Sequence, residues 1–163
     1  MKRLLILIPV ALIAVFLDSF LFPSLPTNGI RPLFTLAAAL AAVAATKVQD
    51  GMLIAFFGGL LTDWFCNPYT GLSAAAYLAA VCVLYGFVRK NQPKLLLLFV
   101  FALLACAAAE AIIFVFSLAI GARTAVLSRL LLSALPSIIL EALLVLPLAA
   151  ALKPAGKGTF DRR

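Results

Sequence analysis

The residues able to do chemistry are few, and most are carboxylates set in apolar surroundings. Glu110 and Glu141 each sit inside a long run of aliphatic side chains. An ionisable group there is costly to hold and is a functional suspect on that ground alone. Counted from the Lys94 end of its run, Glu110 lies about 15 residues in, and Glu141 lies about 11 from the Lys153 end of its own, a difference in depth of roughly 6 Å. The two could face each other and share a proton, or line a proton or cation path. The other reading is that each is a buried, hydrogen-bonded group at an interface between helices. Asp18 and Arg129 fall near the opposite ends of their runs, where a salt bridge or snorkelling to an interface are both open. Asp63 ends a further apolar run beside Trp64, an aromatic suited to a membrane surface.

Other chemistry is excluded by what the sequence lacks. It contains no histidine, which removes His-based metal sites, Ser-His-Asp and Cys-His nucleophile pairs, and histidine relays. Cys66, Cys82 and Cys106 are odd in number and show no CxxC spacing, so they read as small hydrophobes. Gly58-Gly59 stands outside any GxxxxGK[ST] or GxGxxG pattern and does not cradle phosphate. No cofactor and no metal site is expected, and the chain reads as a non-enzyme. The best enzymatic alternative is a carboxylate-only site built from Glu110 and Glu141.

The elements that must carry these residues follow from composition. Of 163 residues, 66% are hydrophobic and only 12% charged, with a mean hydropathy of +1.20. A soluble domain of this size has too much surface facing water to hide so much apolar area. The sequence therefore implies an all-α integral membrane protein, a compact bundle of about six transmembrane helices. Residues 4–25 follow Met1-Lys2-Arg3 and read as an uncleaved first span, because Asp18-Ser19-Phe20 follows the apolar stretch and no small-x-small cleavage site appears. Residues 33–46 and 52–61 form short second and third spans, or a re-entrant hairpin, separated by a break over 47–51. Pro32 suits the start of the second.

A loop holding Asn67, Pro68 and Gly71 leads to a fourth span over 74–88, with Ser73 as its expected cap. Residues 95–120 and 125–152 make the last two spans, the sixth carrying Pro136 and Pro147 and predicted to kink. The polytopic domain is thus 1–152, followed by a basic tail, 153–163. Ten of the 13 Lys and Arg residues fall on the side that holds both termini, with Arg31, Arg123 and Arg129 opposite. That asymmetry places both termini in the cytoplasm. It also explains the net charge of +7 by topology, and no nucleic-acid partner is expected.

One stretch has a more specific character. Phe57-Gly58-Gly59-Leu60-Leu61-Thr62-Asp63, then Pro68, Gly71 and Ala74-Ala75-Ala76-Tyr77, resembles the pattern of the rod shape-determining MreD family. That pattern is a glycine-containing helix running into Gly-Leu-x-x-Asp, a short glycine loop, then small residues and an aromatic. Gly58 and Gly59 would let the third span pack closely, and Asp63 would either fix the loop by bonding backbone N–H groups or touch a partner. Gly71 would allow a tight return, and Tyr77 would bring an amphipathic ring into the fourth span.

The resemblance implies a non-enzymatic scaffold of the bacterial cell-elongation complex in the inner membrane. It would bind MreC and help couple MreB filaments to RodA and its transpeptidase partner during lateral peptidoglycan synthesis. Such a protein's remaining surroundings are membrane lipid. The hydropathy is also similar to that of the substrate-binding membrane subunit of energy-coupling-factor vitamin transporters, which is the alternative.

Overall fold

The structure, a computed structural model, describes residues 4–21, 32–66, 71–88, 95–119 and 124–156. These residues are almost entirely helical, with no strand among them. Helix α1 spans Leu4–Phe16 and continues into a π-helical turn, Leu17–Leu21. Helix α2 spans Phe34–Ala45. A continuous rod over 48–66 follows, made of α3 (Val48–Leu53), a π-helical turn (Ile54–Gly58) and α4 (Gly59–Cys66). Helices α5 (Leu72–Val88), α6 (Leu95–Ala119) and α7 (Thr124–Gly156) complete the chain. Among the described residues two stretches are long and apolar enough to cross a membrane, Leu96–Phe116 with 21 residues and Ala134–Leu152 with 19.

Helix α2 is the centre of the molecule. Its 12 residues cover about 18 Å, well short of the roughly 30 Å of a bilayer core. It packs on α7 and α3 most extensively, and also on α5 and α1. Leu36, Leu40 and the alanines at 37–39, 41 and 42 are buried. A helix that is apolar on every side belongs inside a bundle, and its small side chains let neighbouring backbones come close. The outer helices show the reverse: Leu96, Leu135, Ile13 and Val115 all project outward. Water would penalise that surface, whereas lipid would not.

Several details differ from the sequence reading. The break after α2 is confined to Thr46 and Lys47, because Lys47 is extended and its carbonyl accepts the first bonds of α3, from the Asp50 and Gly51 N–H groups at 3.0 and 3.3 Å. Helix α5 starts at Leu72, not after Ser73. Helix α7 extends to Gly156, into the segment read as tail. Pro68 and residues 157–163 lie outside the described residues.

Candidate functional site

The first polar site closes the turn between the rod and α5. Asp63 is wholly buried near the end of α4. Its Oδ2 accepts the Gly71 N–H at 2.8 Å and the Ser73 N–H at 2.9 Å, and Oδ1 lies 3.2 Å from the same Ser73 nitrogen. The first N–H groups of any helix lack intrahelical partners. Gly71 occupies the capping position, since its carbonyl accepts the Ala75 N–H at 3.0 Å, but it has no side chain to cap with. Asp63 supplies the carboxylate from eight residues upstream. Gly71 is held at φ +100, a conformation that side-chain-bearing residues rarely adopt.

Close packing completes this joint. A Cβ on Gly59 would come within 2.5 Å of the Ala74 Cα, so the rod and α5 meet backbone to backbone. A Cβ on Gly58 would lie 2.5 Å from Thr35 Cγ2, and one on Gly51 would strike Val43 Cγ2. All three glycines therefore serve contacts within the chain. Leu60 is half-buried beside them, and Tyr77 is completely buried one helical turn past Ser73. Of the two roles open for Asp63, the hydrogen bonds are those of a loop-fixing residue.

The second polar site lies at the start of α2. Leu33 holds the capping position there and offers no polar side chain. Two distant carboxylates serve its N–H groups. Asp18, in the π-helical turn after α1, accepts the Phe34 N–H at Oδ1 (2.7 Å) and the Thr35 N–H at Oδ2 (2.8 Å). Glu141, from α7, accepts the Leu33 N–H at Oε1 (3.0 Å). Three successive N–H groups are thus met by side chains from the first and last helices.

These bonds revise the sequence reading of both acids. Asp18 is buried, and the side chain of Arg129 lies outside the described residues. Glu141 is wholly buried and its Oε1 accepts the Leu33 N–H, while Glu110 is half-buried. The reading of Glu141 as a hydrogen-bonded group between helices is the one that fits. Its Oε2 and the Tyr77 hydroxyl are buried without hydrogen-bond partners. Cys106 is buried, while Cys82 is exposed. No group of three or more acidic or sulfur ligands able to hold a metal occurs among the described residues.

Reading residue types missed the far partners, Leu33, Phe34 and Thr35, because they act through backbone N–H. A signal was nevertheless present. The segment Ile30-Arg31-Pro32-Leu33 enters an Ala-rich helix with none of the usual capping residues, so a cap had to come from elsewhere. The chain matches no protein-family model, no curated protein and no solved structure.

Proposed function

We propose that the chain is a non-enzymatic scaffold of the MreD kind, a multi-pass protein of the bacterial inner membrane with about six spans and both termini cytoplasmic. It acts by lateral helix contacts that hold MreC and, through it, other members of the elongation complex (MreB, RodA and the transpeptidase). The observation that carries this reading is the joint made by Asp63, Gly59, Gly71 and Tyr77. Among the described residues behind the resemblance, Asp63 caps α5 and Gly59 is pressed on Ala74. The buried carboxylates Asp18, Asp63 and Glu141 accept backbone N–H groups, a structural use of polar side chains that suits a scaffold.

The test is affinity purification of the tagged chain from its native host in mild detergent, with partners identified by mass spectrometry. Recovery of MreC with wall-synthesis enzymes is the expected result. Recovery of a transmembrane coupling protein with two ATPases overturns it in favour of a vitamin transporter subunit. A carboxylate-dependent lipid enzyme would lose its activity in the Glu110→Gln/Glu141→Gln double variant, whereas the scaffold should keep its partners.

A further inference from the structure

Two polar groups deep in the bundle are left unmet by the chain itself. Glu141 Oε1 accepts the Leu33 N–H at 3.0 Å, but Oε2 of the same carboxyl group has no hydrogen-bond partner. The hydroxyl of Tyr77, on α5, has none either. Both residues are 0% exposed. Burying such groups unpaired is costly, and a bundle in lipid has no bulk water to make up the loss.

The two groups belong to one place. Glu141 lies within electrostatic range of the Tyr77 hydroxyl, yet no hydrogen bond joins them directly. Helix α7 carries the first and α5 the second, and both helices pack on α2. From α6, the Cys106 thiol stands beside the same carboxyl group. The charged groups that act on Glu141 are Glu110, also from α6, and Asp18, from the turn after α1, and both are acidic. Among the described residues, then, the chain brings no cation to Oε2.

We infer that one internal water bridges Glu141 Oε2 and the Tyr77 hydroxyl inside the bundle. A buried water is held by a few polar partners, and a carboxyl oxygen with a phenolic hydroxyl supplies two of them. The Tyr77 O–H donates to the water and the water donates to Oε2, so both unmet atoms are satisfied at once. A sodium ion fits less well, because it uses oxygens only as acceptors and leaves the Tyr77 proton without one. Tyr77 thereby does more than fill the buried face of α5. Its hydroxyl ties α5 to α7 through the water, at the level where Glu141 caps α2. This site does not depend on the scaffold reading.

Radiolytic hydroxyl labelling of the full chain after rapid mixing with 18O-labelled water tests the assignment. Radicals formed from a bound water attack the side chains around it, so Tyr77 and Cys106 should take up label although both are buried. Incorporation of 18O at Tyr77 should lag behind that at the exposed Trp64, because an internal water exchanges slowly with bulk. This lag is read on the unaltered protein. Tyr77→Phe keeps a reactive ring and should lower labelling at position 77 and at Cys106 about fivefold, the effect of losing one hydrogen bond to the water.

No label at Tyr77, label that keeps pace with Trp64, or unchanged labelling in Tyr77→Phe overturns the proposal. Thermal stability that rises with sodium chloride but not with choline chloride, and is insensitive to choline in Glu141→Gln, overturns it too, since an ion would then occupy Oε2.

Discussion

Helices α2 and α5 begin in the same predicament and resolve it over different distances. Neither capping position, Leu33 or Gly71, has a polar side chain of its own, and both helices start inside the bundle. For α5 the carboxylate comes from Asp63, eight residues before Gly71 and ten before Ser73. For α2 it comes from Asp18 and from Glu141, the latter 108 residues beyond Leu33. The first arrangement fixes one joint. The second ties the first and last helices to the central one, so its bonds exist only when the bundle is assembled. Identical chemistry thus gives a local clasp in one place and a tertiary lock in the other.

The sharpest way to break the local joint is steric. Gly59→Leu must push α5 away, since even the Cβ would sit 2.5 Å from the Ala74 Cα and 2.7 Å from its nitrogen. We expect no monodisperse protein after detergent extraction. Gly59→Ala should lower stability by about 3 kcal/mol, at the upper end for overpacking because backbone cannot yield as a side chain can. Gly58→Ala should cost less, about 1 kcal/mol, because it meets the methyl of Thr35. Denaturation midpoints in a common detergent would rank the pair, and equal losses would contradict the backbone contact at Gly59.

Removing the carboxylates compares the two caps directly. Asp63→Ala and Asp18→Ala each strip two N–H groups of their side-chain acceptor, and each should cost about 2–3 kcal/mol. Their reach should differ. Hydrogen exchange should accelerate in the first turn of α5 for Asp63→Ala, but throughout α2 and the facing parts of α1 and α7 for Asp18→Ala. Exchange confined to one turn in both variants would mean that the α2 caps are as local as the other.

That difference also marks what could be read from the sequence. Asp63 and Gly71 are close in the chain and separated by turn-forming residues, so a carboxylate returning to nearby N–H groups was legible. The central place of α2 was partly legible, because 34–45 is apolar on every face and short for a span. The pairing of Asp18 and Glu141 at its start was not, since helix periodicity places a residue on a face but does not say which neighbour that face meets. The glycines were legible as close-packing positions. Their partners (Val43, Thr35 and Ala74) belong to this same chain, a fact only the three-dimensional arrangement supplies.

Smaller effects test whether the two caps on α2 act as one. Glu141→Gln keeps an oxygen for the Leu33 N–H and should cost about 1 kcal/mol or less. Combined with Asp18→Asn, the losses should depart from additivity by about 0.5–1 kcal/mol, because both side chains serve consecutive N–H groups of one helix start. Strict additivity would show that the two carboxylates hold α2 independently.

The smallest effect isolates backbone conformation within the local joint. Gly71 and Gly86 stand at the two ends of α5, and a Cβ at either would meet nothing within 4 Å. Space therefore cannot distinguish them, but φ does. Gly71 is at +100, so Gly71→Ala should destabilise by about 1 kcal/mol through strain at the turn that presents its N–H to Asp63. Gly86 lies within the helix, where alanine restricts the unfolded chain without strain in the folded one, and Gly86→Ala should stabilise by about 0.5 kcal/mol. Opposite signs for one chemical change in one helix would locate the requirement for glycine in the turn closed by Asp63. Equal signs would show that the positive φ at Gly71 is not what holds that residue in place.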